Sequence, residues 1–332
     1  MRTRLLELFP ALRKLPSHCF VVGGAIRDLI MNRAPADADV ASRDPLAAAK
    51  ILGRKVIRLG REHLAAYRVV DGPHVYDFAE LLDGDIDADL ARRDFTVNAM
   101  AVDLDRDVLL DPHGGQRDAA ARVVRMVRAS NFDDDPLRTL KGVRMAVRYD
   151  MDLDDATMEA IRTRAAKIVE VATERVTYEL SVIFSSGRFR KAMTLLDQTG
   201  LVGALDLHVR DGADELSLAA SLALIVDDPR AYAERWRWSE SLRRDVLTLQ
   251  QLMKHHDRIA LYDAGESVAR QLPPLIDEPL DWPDFSIKPL LTGDEIALPP
   301  GPALGRVKRA LLEAQIRGEV TSREEAERFV KV

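Results

Sequence analysis

The hydrophobic period of this chain changes near residue 130, and that change constrains its fold more than any other feature. Up to about 125, short β-type runs alternate with turns and helices. CFVV (19–22) enters Gly23-Gly24 and then AIRDLIM, which reads as strand, glycine turn and helix. DADVAS, AAYRVVDG and VYDFAE read as further strands, the last two joined through the Asp71-Gly72-Pro73 turn. NAMAVDL and the turn before LLDP suggest one more strand and its return. Beyond 130 the apolar residues fall at three- and four-residue spacing through 136–149, 155–170, 174–185 and 188–200. SLAASLALIV, LRRDVLTLQQLM and RVKRALLEAQIRG continue that pattern around a proline-rich break near 271–302. The expectation is an α+β chain, a small mixed-sheet domain followed by an all-helical body.

At 332 residues there is room for two or three domains and a sizeable core. No apolar run approaches the ~18 residues of a membrane span. The opening MRTRLLELFPALRKLP reads as an amphipathic helix rather than a signal peptide. Cys19 is the only cysteine, which rules out a disulfide framework or a cysteine zinc site and suits a reducing cytoplasm. A net charge of −6 does not advertise a nucleic-acid binder, although phosphate contacts need only a local basic stripe. Arg188, Arg190 and Lys191, or Arg243 and Arg244, offer such stripes; solvated surface is the plainer reading of each.

Three stretches carry chemistry. In the first, a glycine pair between strand and helix allows close backbone approach and aims amides at an anion such as a triphosphate. Arg27 in the same turn suits a phosphate or a carboxylate. Asp37 and Asp39 are two apart, so a strand projects both to one face, where they can bridge Mg²⁺ ions. Asp77 in VYDFAE, at the end of its strand, is a candidate third acid. Taken alone, an Asp-x-Asp is an ordinary surface pair; the glycine turn at this separation makes the case for a site.

The second stretch is LARRDFTVNAMAVDL (90–104). Arg92 and Arg93 offer guanidinium forks for a triphosphate, and Asn98 can reach a sugar hydroxyl or a phosphate oxygen. Asp94 is otherwise a helix cap, with Phe95 and Met100 in the core. The third is FDDDPLRTLKGVRMAVRYD (132–150), where Pro136 and the acids before it suit a helix start. Asp135 and Arg138, three apart, are expected on one helix face, either as a salt bridge or as an acceptor and donor that read a base edge.

VVGGAIRD, DADVA, ARRDFTVNAM, DPHGG, DDDPLR and ERVTYEL occur in the order found in class II tRNA nucleotidyltransferases, and on these six motifs the chain resembles that family. It comprises CCA-adding enzymes, CC-adding and A-adding relatives, and bacterial poly(A) polymerases. The closing segment from PLLTGDEI also looks like the family's tail. The resemblance implies an N-terminal nucleotidyltransferase head of the DNA polymerase beta type (1–128), a helical neck (129–200), and a helical body and tail that bind tRNA (201–332). It implies Mg²⁺ on Asp37 and Asp39, with Asp77 as a further catalytic acid. Gly23, Gly24 and Arg27 would form the triphosphate loop; Arg93, Asp94 and Asn98 would contact ribose and phosphate. Asp135 and Arg138 would read CTP and ATP, with Lys141 and Arg144 further along the same nucleotide-binding helix and Glu174 and Arg175 buttressing the pocket. The implied partners are CTP, ATP and the tRNA 3′ end, in the cytoplasm.

Asp134 stands where the family usually has glutamate, Lys141 and Gly142 where arginine and alanine are common, and Met145 where an aromatic is common. The segment between Asp77 and Arg92 is shorter than in many CCA-adding members. That brevity points toward a CC-adding or A-adding specialist, or a poly(A) polymerase. A non-catalytic RNA-binding module is the alternative of another class. His255, His256 and Asp257 resemble a phosphohydrolase metal pair but read as a solvated helix end, and Trp236 and Trp238 as anchors of the helical body.

Overall fold

The structure, a computed structural model, describes residues 1–53, 55–59 and 66–331. The chain forms two compact units, Met1–Ile183 with Thr194–Leu205, and Phe184–Met193 with Asp206–Val332. The sheet and the helices that follow it as far as 183 therefore belong to one unit.

That unit is built on seven strands, β1 (Cys19–Val22), β2 (Asp37–Ser42), β3 (Ile57–Leu59), β4 (Ala66–Asp71), β5 (His74–Glu80), β6 (Ala101–Asp103) and β7 (Val108–Leu110). They lie in the order β3-β4-β5-β2-β1-β6-β7, antiparallel except for the β2–β5 pair. The sheet is thus mixed, as the strand-rich first third implied. Of the AAYRVVDG run, Ala65 lies outside the described residues; the rest forms β4, turned into β5 at Gly72, whose φ of 59° suits glycine. Leu5, Phe9, Val21, Ile26, Val40, Tyr76 and Phe78 bury one face of the sheet, and Val22, Ala41, Leu81, Leu90 and Ala101 part of the other.

Helices α1 (Arg2–Leu8), α2 (Gly24–Ile30), α3 (Pro45–Leu52), α4 (Ile86–Ala91) and α5 (Gly115–Ala120) accompany the sheet. They are followed by α6 (Asn131–Asp134), α7 (Leu137–Tyr149), α8 (Asp155–Arg162) and α9 (Thr173–Phe184). Helix α7 is the one that completes the site. Leu137, Leu140, Val143, Ala146 and Val147 are each at most 3% exposed on its inner side. Burying a side chain of the larger of these stabilises by about 1.5–3 kcal/mol. Gly142 has a packing reason: a Cβ there would lie 2.9 Å from Ile161 Cδ1 and 3.3 Å from Phe95 Cζ. Asp150, left-handed at φ 55°, ends the helix.

In the second unit Trp236 is buried, and Leu249 and Leu252 of the helix Glu240–Lys254 join the core. Thr292 and Glu295 form a capping box at the GDEI turn, and the helix Pro302–Arg317 packs Leu311 and Ala314 against Leu291 and Ile296. Asp257 caps the helix Arg258–Ala264 through Ala260 N–H, and His255 is mostly exposed beside it. No helix among the described residues is long and apolar enough to cross a membrane.

Candidate active site

Alternation along β2 buries Ala38 and turns Asp37 and Asp39 to the opposite side. Asp39 pairs in register with Val22 of β1 and with Asp77 of β5. Asp77 sits in the middle of β5, not at its end, and Arg68 stands opposite it on β4. The guanidinium donates to both carboxylate oxygens of Asp77, at 2.8 and 2.6 Å. Burial and the neighbouring charge of Asp37 push the Asp39 carboxyl up to about 6; Arg93 and Arg27 pull it down, and Asp77 adds to the rise. A partly buried acid crowded by two others is relieved by a divalent cation, and an all-oxygen donor set suits Mg²⁺ rather than a soft metal. Among the described residues no group of three or more acidic, histidine or cysteine side chains converges to enclose an ion. A cation here would complete its shell with water and phosphate oxygens, as Mg²⁺ commonly does.

The glycine turn lies beside these acids. Gly23 has φ 73°, and a Cβ on it would come 2.9 Å from Arg93 Nη1 and 3.7 Å from Asp39 Oδ2. Both the left-handed backbone and the crowding exclude a side chain. The Gly23 amide is bonded to Met100 O at 3.1 Å, so the expectation that both glycine amides face an anion fails for Gly23. The strand-to-turn geometry occupies that donor, and any anion would meet the turn from Gly24 onward. Arg27, 7% exposed, is fixed on three sides. It donates to Asp28 at 2.9 and 2.8 Å, to Asn98 Oδ1 at 2.5 Å and to the Tyr149 hydroxyl, and its guanidinium carbon lies 4.2 Å from the centre of the Tyr149 ring.

Asp94 and Asn98 continue this network. Asp94 Oδ1 accepts from Phe95 N–H at 2.8 Å and from Asn98 Nδ2 at 3.1 Å. Burial pushes the Asp94 carboxyl up, but the charge of Lys141 and these hydrogen bonds outweigh it and hold Asp94 below the ordinary carboxylate value. Arg92 and Arg93 are both gripped by Asp89, which is 1% exposed and accepts four bonds between 2.6 and 3.1 Å. Arg93 Nη1 is left facing Asn98 O and Gly23. On α7, Lys141 acts on Asp94, Met145 Sδ lies 3.8 Å from Arg27 Nη1, and Tyr149 stacks on Arg27, a stripe at four-residue spacing along the helix.

The structure corrects the expectation for Asp135 and Arg138. Pro136 is the N-cap and Asp135 is extended before it (φ −142°, ψ 94°), so the two do not share a helix face. Proline's ring disfavours helical backbone at the residue before it. Asp135 instead pairs with Arg175 at 2.9 Å, while Arg138 donates to Arg92 O at 2.7 Å and Asn131 O at 3.1 Å. Glu174 is exposed; the buried acid of α9 is Glu179, which pairs with Arg144 at 3.1 Å. Gly23, Arg27, Asp37, Asp39, Asp77, Arg93, Asp94, Asn98 and Lys141 therefore form one connected neighbourhood.

Arg68, Asp89, Tyr149 and Glu179 escaped the sequence reading. Asp89 precedes Arg92 and Arg93 by three and four residues, a helical spacing that signals the clasp. Glu179 lies within ERVTYEL, where helical periodicity marks it as inward-facing.

Residues 19–81 and 65–125 match the family model "Poly A polymerase head domain", and 150–205 match "Probable RNA and SrmB- binding site of polymerase A". The chain is 30% identical to the CC-adding tRNA nucleotidyltransferase of Geobacter sulfurreducens, over 93% of this chain and 90% of that one. It is 28% identical to the A-adding tRNA nucleotidyltransferase of Deinococcus radiodurans, over 97% of each. In fold it is similar to the Bacillus stearothermophilus CCA-adding enzyme solved in complex with CTP, with a TM-score of 0.77, 21% identity, and 99% and 96% of the two chains covered.

Proposed function

The chain belongs to the family of tRNA nucleotidyltransferases and poly(A) polymerases, and on that premise we propose that it adds C, A or both to the 3′ end of tRNA. CTP and ATP are the donors and pyrophosphate is released. The carrying observation is the placement of Asp37 and Asp39 on one side of β2, with the Asp39 carboxyl raised, beside Gly23 and Arg93.

Asp37 and Asp39 would hold Mg²⁺, which when bound neutralises triphosphate charge and makes the RNA 3′-hydroxyl a better nucleophile. The hydroxyl oxygen gives up its proton to solvent and attacks the α-phosphorus in line, and the bond to the pyrophosphate oxygen breaks as pyrophosphate leaves. Positioning does most of the work. Arg93 takes triphosphate oxygens at the turn of Gly23 and Gly24, Arg27 adds its charge from beneath that turn while its hydrogen bonds hold Asn98 in place, and Asp94 and Asn98 take the ribose. Arg138 and Asp135 present a donor and an acceptor to the base edge, the one anchored on backbone carbonyls and the other on Arg175. Lys141 and Arg144 sustain the positive potential of α7, Arg144 held by Glu179 and Lys141 acting through its charge on Asp94. Asp77 acts with Arg68 beside the metal ligands, and Glu174 serves from the exposed side of α9. The helical part beyond about 180 holds the acceptor arm through phosphate contacts that follow shape rather than sequence. A lone buried Cys19 suits work in the cytoplasm.

One observation favours a specialist over an enzyme that adds all three nucleotides. Only residues 81–85 separate β5 from α4, and Asp85 already caps α4 through Asp87 N–H. So short and fixed a connection leaves little length for a moving loop that could reshape the pocket between CTP and ATP. The test offers tRNA ending at the discriminator base and tRNA ending in CC, each with α-labelled CTP, ATP or both. A CC-adding enzyme labels only the first with CTP, and an A-adding enzyme only the second with ATP. No transfer to either RNA with Mg²⁺ present would defeat the enzymatic reading.

A further inference from the structure

The turn that carries Arg92 and Arg93 is held by two residues of the helices that follow it. Asn131 in α6, 4% exposed, sends its Nδ2 amino group to Ala91 O at 2.9 Å and to Arg93 O at 2.7 Å. Arg138 in the first turn of α7 sends Nη1 to Arg92 O at 2.7 Å and to the backbone oxygen of Asn131 at 3.1 Å. Three consecutive carbonyls are captured. The stoichiometry closes, because an amide nitrogen and a guanidinium Nη each carry two hydrogens and each has two acceptors. Among the described residues Arg138 makes no other side-chain hydrogen bond, so Nη2 and Nε remain for a ligand.

Asn131 touches both ends of this clamp, with its side chain on the arginine turn and its own carbonyl under Arg138. We infer that Asn131 is a positioning residue for nucleotide selection, locking the base-reading guanidinium of Arg138 in register with Arg93 at the phosphates. The inference rests on the proposed edge-reading role of Arg138. The side-chain type is demanded by the chemistry: aspartate has no donor for two carbonyls, and an apolar residue would leave both unpaired in a buried place. Loosening such a clamp by an ångström is enough to change rates about a hundredfold. The right base loses more from a loosened Arg138 than a wrong base does, so discrimination falls.

The test measures kcat/KM for CTP, ATP, GTP and UTP separately with wild type, Asn131→Ala, Asn131→Ser and Arg138→Ala, on whichever tRNA end the wild type extends. Asn131→Ala is expected to lower the preference for the correct nucleotide about tenfold, in the same direction as Arg138→Ala. Asn131→Ser keeps one shorter donor and is expected to lose less; it decides the matter if the alanine variant does not fold. Equal loss of kcat/KM for all four nucleotides in both Asn131 variants, while Arg138→Ala loses discrimination, would overturn the positioning role and leave edge reading standing. Unchanged discrimination in Arg138→Ala would remove the edge reading, and this inference with it.

Discussion

Asp39 and Asp77 are register partners on the parallel strands β2 and β5, and Arg68 from β4 occupies both carboxylate oxygens of Asp77 at 2.8 and 2.6 Å. The two acids therefore differ in kind. Asp77 has a fixed counter-ion within the sheet, whereas Asp39 has no ion pair among the described residues and feels the charges of Arg93 and Arg27 set against burial, Asp37 and Asp77. The one whose charge is undercompensated is the one proposed above to hold a cation.

That difference predicts unequal mutants. Asp39→Ala is expected to abolish nucleotide addition, by about a thousandfold or more given the charge a metal neutralises in such a transition state. Asp77→Asn, which frees Arg68 to pair with Asp39 or Asp37, is expected to lose about ten- to a hundredfold while weakening Mg²⁺ binding. Single-turnover rates and Mg²⁺ titrations followed by calorimetry check both. Full turnover by Asp39→Ala would mean that the metal site lies elsewhere.

A second consequence concerns stability without metal. The Asp39 carboxyl is raised to about 6, above its ordinary value, so the proton favours the folded state. The charged form therefore costs nothing below about pH 4, and its full cost appears above about pH 6 to 7. Asp39→Asn is expected to be more stable than wild type at pH 8 without divalent cations, by on the order of 2 kcal/mol. The gap should close as the pH falls toward 4 and shrink when Mg²⁺ is added. Denaturant melts at pH 4, 6 and 8 read it directly, and a gap that grows toward low pH would contradict the assignment.

Much of this site was legible in the sequence because its parts obey local periods. Period-two alternation put Asp37 and Asp39 together, and the strand–glycine–helix run placed Arg27 beside them. Arg68 was within reach of the same logic. The Gly72-Pro73 turn sets Asp71 opposite His74, and counting back equal steps puts Arg68 opposite Asp77. Asp135 and Arg138 went wrong because helical spacing was extended across Pro136, which starts the helix instead of sitting inside it. Helical period turns Tyr149 and Glu179 inward, but that they meet Arg27 and Arg144 depends on how α7 packs on the head and on α9, which no local period encodes.

The charge of Lys141 acting on Asp94 gives a third test. Asp94 stays ionised in spite of burial because Lys141, Asn98 and the Phe95 amide all favour its charge. Asp94→Asn would remove the negative charge that faces Lys141 and offer Asn98 Nδ2 a neutral acceptor, weakening the hold on the side chain whose oxygen accepts from Arg27 at 2.5 Å. Removing a buried charge that is held by hydrogen bonds commonly loses about 2–5 kcal/mol of binding. The expected result is a rise in nucleotide KM of about a hundredfold, with weaker preference for ribo- over deoxynucleotide. A variant with unaltered KM and unaltered sugar preference would show that Asp94 is only a cap.

Gly115 offers a test that is independent of charge. It opens α5, where alanine would ordinarily stabilise by about 1 kcal/mol. A Cβ there would lie 2.3 Å from Thr96 O and 2.9 Å from Met100 Cγ, and a backbone oxygen cannot swing aside as a side chain can. Thr96 begins the short turn that ends at Asn98, and its hydroxyl bonds Asp118 of α5 at 2.8 Å. Gly115→Ala must push α5 off that turn, so overpacking of about 1–3 kcal/mol should outweigh the helical gain. The thermal midpoint should fall, and nucleotide affinity should fall with it because Asn98 moves. Gly305→Ala, with nothing within 4 Å of its Cβ position in the helix Pro302–Arg317, is the matched control and should hold or raise the midpoint. If the two variants melt alike, packing of α5 on the Thr96 turn is not what requires glycine at 115.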